Sequence, residues 1–170
     1  MMGRRTCTNK GVTITCADPN LPADLERLAA LAQSVCKRFG KPSAQVSIAI
    51  VDDAETTRIN TQFLGHAHTT DVISFDLSEE TDTSFELVVN ADEALRQSSR
   101  RSHSLEAELA LYITHGLLHQ LGYDDTQPGD AEQMHAAEDA ILEETGFGKV
   151  YARPARGTGS AQRGPEETAQ

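Results

Sequence analysis

Tryptophan is absent from this chain of 170 residues, and aromatic side chains make up only 5% of it. Cysteine is scarce too. Cys7, Cys16 and Cys36 form neither a C-x-x-C pair nor an even-numbered framework, which excludes a disulfide scaffold and favours free thiols in a reducing cytosol. No apolar run comes near the ~18 residues that a membrane span requires. The opening MMGRRTCTNKG carries positive charge with no apolar segment behind it, so no secretory signal is expected there, and the expected location is cytoplasmic. Positive charge is short overall: 15 Lys and Arg face 26 Asp and Glu, for a net charge of −11. Residues 1–50 hold seven basic against three acidic side chains, whereas 51–100 hold three against eleven and 101–150 two against ten. Lys and Arg dominate phosphate neutralisation, so the acidic body argues against a broad electrostatic grip on nucleic acid. Only the basic first segment offers material for one.

What remains is a well-patterned chain. Apolar residues are 38% of it, and their spacing predicts one folded domain over 1–151 with a disordered Gly/Pro/Arg/Ser tail over 152–170. Val12–Cys16, Val46–Val51, Asp71–Asp76 and Phe85–Val89 read as strands. Helices are predicted from Leu21 to Phe39 with Pro22 in the first turn, and from an Asp53 cap to Phe63. Three more are expected: from an Asn90 cap to Arg100, from a Ser104 cap to Leu121, and over Asp130–Glu144 after a Pro128-Gly129 loop. Gly65–Thr70 and Ser78–Ser84 read as loops. The expected architecture is α+β, with a mixed sheet of four to five strands packed against helices.

The chemistry concentrates in HGLLHQLGYDD, residues 115–125. His115 and His119 are four apart on a helix, so their rings leave the same face one turn apart, the spacing at which two imidazoles bind one cation. A catalytic zinc site takes three protein ligands and keeps one position open. Gly122 lets the chain turn left-handed out of the helix, and either Asp124 or Asp125 can then supply the third. Gly116 costs a helix about 1 kcal/mol relative to alanine, so something must approach closely there. It also stands where H-E-x-x-H metallopeptidases carry their general base, which argues against a peptidase of that kind.

These residues resemble the YbeY family, bacterial metal-dependent endoribonucleases implicated in maturation and quality control of small-subunit ribosomal RNA. HGLLHQLGYDD is similar to that family's H-G-x-L-H-x-x-G-Y-D-H. VSIAIVDDAETTRIN and TDVISF resemble its upstream strand, helix and strand, and Met134 and Glu138 fall where its last helix has M and E. The resemblance covers about residues 45–145 and implies an α+β fold with a metal site at the end of a central helix. It implies one zinc ion per chain, with His115 and His119 as ligands, Asp125 in the place of a third histidine, and His115 as the residue on which catalysis depends. Ser74 lies on the strand that lines the family's cleft, which implies a substrate contact; local hydrogen bonding is the alternative. Asp71 is expected either to orient a histidine ligand from behind or to cap its loop.

Four features depart from the family pattern, one of them Ser84-Phe85-Glu86 in place of its L-G-D before the fourth strand. Aspartate replaces histidine at 125. Leu64 stands where the family has an arginine implicated in its ribonuclease chemistry, and a leucine neither clamps phosphate nor stabilises charge on phosphorus. The basic loop before the third strand is here His66-Ala-His68-Thr69, read as an exposed polar loop. His103 and His135 are expected to be exposed or capping residues without a role. The resemblance thus implies a zinc-dependent, single-strand-directed endoribonuclease of late 16S rRNA maturation, with ribosomal RNA and the small subunit as partners and neither DNA nor membrane. The departures keep open a second expectation, a metal-stabilised ribosome-assembly partner with little or no nuclease activity.

Overall fold

A computed structural model describes residues 3–150; the expected tail at 152–170 lies outside the described residues. Five strands and five helices follow one another as β1 (Arg5–Asn9), β2 (Val12–Cys16), α1 (Leu25–Arg38), β3 (Gln45–Val51), α2 (Asp53–Leu64), β4 (Val72–Asp76), β5 (Ser84–Asn90), α3 (Ala91–Arg101), α4 (Leu105–Gln120) and α5 (Pro128–Glu144). The strands form one mixed sheet in the order β1-β2-β3-β5-β4. β2, β3 and β5 run parallel, while β1 and β4 pair antiparallel to their neighbours at the two edges. The α+β architecture expected from the patterning is the one observed.

The alternation along the strands explains the layering. Val12, Ile14, Cys16, Val46, Ile48, Ile50, Phe85, Leu87 and Val89 are buried and face the helices. The core lies between this face and α1 and α4. Leu109, Leu111, Ile113, Leu117 and Leu118 of α4 are all buried, because α1, α3, α5 and the β4–β5 pair surround that helix. A helix apolar all round belongs in such a place. It carries HGLLH.

Several boundaries differ from the expectation. β1 was not foreseen: Arg-Thr-Cys-Thr-Asn lacks apolar alternation, and its pairing with β2 through a Lys10-Gly11 turn makes it a strand. α1 starts at Leu25, not Leu21, because the Asp24 carboxylate accepts from the backbone N–H of Glu26 and Arg27 and fixes the cap there. The cap of α2 is Asp52, whose side chain accepts from Glu55 N–H, not Asp53. Pro128 opens α5 instead of lying in the preceding loop, as its fixed φ and missing N–H allow at a first turn. Asn90 and Ser104 cap α3 and α4 as read.

Gly116 meets the sheet. A Cβ built there would lie 3.0 Å from Leu87 Cδ2 and 3.1 Å from Val72 Cγ2, so the glycine is what lets α4 seat on β4 and β5. That contact fixes the height at which the two flanking histidines stand over the sheet edge.

Candidate metal centre

His115 and His119 leave α4 one turn apart, and their Nε2 atoms lie 3.0 Å from each other. Their rings are nearly perpendicular, at 86°, so both nitrogens converge on one point without the rings stacking. Leu121 caps the C-terminal end of α4, and Gly122, with φ +103°, takes the chain into the left-handed region that an L side chain resists. Tyr123 follows with its ring edge-on to Phe39, 5.7 Å between centroids, which pins the exit turn to the end of α1. The next two residues separate cleanly. Asp124 Oδ1 accepts from Thr126 N–H at 3.1 Å and its Oδ2 from Thr126 Oγ1 at 2.9 Å, so this carboxylate is taken by the turn, and those bonds depress its pKa. Asp125 instead places Oδ2 at 3.8 Å from His115 Nε2 and 3.6 Å from His119 Nε2.

Those three atoms fit a small divalent ion. A point equidistant from them lies about 2.0 Å from each, the range of zinc–imidazole and zinc–carboxylate bonds. Among the described residues, His115, His119 and Asp125 form the one group of three or more His, Cys, Asp or Glu side chains close enough to hold a metal. His119 and Asp125 are partly exposed, so the group is reachable from solvent. A cavity of about 560 Å³ lies elsewhere, on the opposite face of the sheet beside α2, and shares no residue with the group.

Glu138 sits behind this group, and reading the sequence assigned it no role. Fully buried on α5, its carboxylate accepts from His115 Nδ1 at 2.6 Å. A carboxylate only accepts, so the Nδ1 proton is fixed on that side and Nε2 faces the shared point. Burial pulls the His115 pKa down, but the hydrogen bond and charge of Glu138, helped by the charges of Asp71 and Asp125, outweigh it and raise the value. The sequence held a signal for Glu138. It interrupts the buried stripe Met134–Ile141 of α5 with an acid, and buried acids need partners.

The remaining expected residues divide. Ser74 is on the β4 face toward α4, where its Oγ accepts from Gln120 Nε2 at 2.8 Å, directly after His119. Asp71 bonds its own surroundings, accepting from Val72 N–H at 2.7 Å and Thr70 Oγ1 at 3.2 Å, and its charge helps raise the His115 pKa. Leu64 ends α2 and is half exposed, and His66 and His68 are exposed as read. One expectation is corrected. His103 is mostly buried and its Nε2 meets the fully buried Glu108, which Arg101 also contacts. The His135 side chain is partly exposed, in line with the reading, and its Nδ1 also lies 3.3 Å from Glu138 Oε2. The His103 contact was missed because its partner is an acid buried by tertiary packing.

Comparison with known proteins gives a consistent result. The family model described as endoribonuclease YbeY matches residues 13–146. The endoribonuclease YbeY of Nocardioides sp. is 35% identical over 132 residues, 71% of this chain and 89% of that protein. The endoribonuclease YbeY of Thermobifida fusca is 31% identical over 136 residues, 74% of this chain and 88% of that protein. A Thermotoga maritima protein solved in solution superposes with a TM-score of 0.59 at 25% identity, covering 79% of this chain and 88% of that one.

Proposed function

Because this chain belongs to the YbeY endoribonuclease family, we propose that it cleaves single-stranded RNA at a divalent metal, best zinc, held by His115, His119 and Asp125. The observation that carries this reading is the convergence of the three ligand atoms on one point at bonding distance. An ion held there would supply Lewis-acid charge to a phosphoryl oxygen. The chain's own residues do the rest. Glu138 keeps the proton of His115 on Nδ1 and leaves Nε2 for the ion. Ser74, facing α4 beside Gln120, would offer its hydroxyl to a strand that crosses β4. The expected substrate is small-subunit ribosomal RNA late in its maturation, in the cytoplasm. Incubating the metal-loaded protein with single-stranded rRNA fragments, beside a His115→Ala control, tests the reading. Cleavage faster than the control supports it, and equal rates reject it.

Leu64 favours a second reading, a metal-stabilised ribosome-assembly partner with little nuclease activity. A half-exposed leucine at the end of α2 supplies no positive charge to a substrate phosphate. Leu64→Arg separates the two: a gain in cleavage over a weak wild type says that the missing cation limits activity.

A further inference from the structure

We propose that Phe63 and Phe75 form a stacking platform for the bases of a single RNA strand, laid over the β4 edge beside the candidate metal centre. This inference rests on the RNA-directed reading above. It supplies a source of affinity that the charge distribution withholds.

Phe63 is 60% exposed and its neighbour Leu64 49%, in the last turn of α2. Phe63 is one of only eight Phe and Tyr residues in the chain, so a ring left this far in water is a specific feature of the surface. It is not loose. The Phe75 ring lies 5.7 Å away with the planes at 70°, an edge-to-face contact that braces Phe63 while most of its surface stays accessible.

The position of the pair says what it can receive. Phe75 lies on β4, an outermost strand of the sheet, so among the described residues no strand covers its far side. The next residue back, Ser74, points to the other face and bonds Gln120, which directly follows His119. Ring pair and ligand group therefore flank one edge strand on its two faces. A nucleic-acid strand crossing that edge can set a phosphate at one side and rest its bases on the other.

Charge selects stacking as the mode. The chain carries −11, residues 51–100 contribute three basic against eleven acidic side chains, and position 64 is leucine. Phosphate neutralisation is weak here, whereas base–aromatic stacking draws on the ring faces and tolerates any sequence. Stacking also requires splayed bases, which a single strand offers and an A-form duplex does not.

The natural absence of Trp makes the test direct, because Phe63→Trp introduces a single indole whose emission can be excited apart from the three Tyr. Anisotropy with a labelled single-stranded RNA, checked intact on a gel, gives affinity for wild type, Phe63→Ala, Phe63→Trp and a Leu95→Ala control exposed on α3. Phe63→Ala is expected to weaken binding about 5- to 150-fold for one lost stack. Phe63→Trp should bind as wild type does, its emission quenched saturably by single-stranded and not by duplex RNA, and Leu95→Ala should change nothing. Circular dichroism unchanged in Phe63→Ala excludes misfolding as the cause. The platform is overturned if wild type binds RNA and Phe63→Ala binds it equally well, or if the indole is not quenched. An indole signal that follows protein concentration, with dimers in sedimentation, also overturns it and makes the patch a contact between copies. Wild type that neither binds nor cleaves RNA rejects the RNA-directed reading itself.

Discussion

The buried carboxylate of Glu138 on α5 holds His115 Nδ1 of α4 at 2.6 Å, so the orientation of a proposed metal ligand is set by a helix that begins thirteen residues later in the chain. Glu138 also has His135 at 3.3 Å, and the three residues tie α5 to the candidate centre. Partners of this kind orient a ligand ring and raise its basicity.

Glu138→Gln keeps the size and an acceptor oxygen but removes the charge. Zinc affinity should fall about 10- to 100-fold, as read by competition with a chromophoric chelator. Unchanged affinity would mean that Glu138 is a packing residue only.

Asp125→Ala should lower zinc affinity strongly, and Asp125→His should preserve it. Asp124→Ala should leave affinity near wild type, since that carboxylate is occupied by Thr126. The same chelator competition decides. A large loss in Asp124→Ala with none in Asp125→Ala would reverse the assignment.

Much of this was legible in the residues themselves. The i, i+4 histidines, the helix stop at Gly122 and the close approach at Gly116 follow from periodicity and backbone sterics, which are local. The choice between Asp124 and Asp125 was not set by spacing, since either can follow the Gly122 turn. It depends on which carboxylate the Thr126 turn captures. The burial of Glu138 and the partner of His103 were not legible either, because packing between elements buries the acids that the two histidines meet. β1 was missed because a polar edge strand has no apolar alternation to announce it.

Gly116→Ala gains about 1 kcal/mol in helix propensity but drives a methyl against Leu87 and Val72. Leu87 is fully buried and has little room to move, so overpacking of about 1–3 kcal/mol prevails. A net loss of about 1 kcal/mol in urea unfolding is expected, and zinc affinity should drop with it as α4 lifts. A variant more stable than wild type would show that the contact yields.

Asp53 accepts from both Arg96 guanidinium nitrogens at 2.7 and 2.8 Å and from Asn90 Nδ2 at 2.8 Å, and these bonds hold its pKa well below the usual carboxylate range. A depressed folded-state value stabilises the fold above the unfolded pKa of about 4 and loses that stabilisation as pH falls below it. The pair is partly exposed, so the contribution is on the order of 1 kcal/mol or less. Asp53→Asn should melt below wild type at pH 7, and the two should converge toward pH 2. A constant gap across that range would assign the effect to packing.

The central claim is that RNA cleavage depends on one metal ion at His115, His119 and Asp125. Zinc added stepwise to chelator-stripped protein, with the initial rate of single-stranded RNA cleavage followed at each step, measures it most directly. The rate should start near that of His115→Ala, rise in proportion to zinc, and break at one equivalent per chain. Full activity in the stripped protein, or equal activity in His115→Ala at every step, would contradict it.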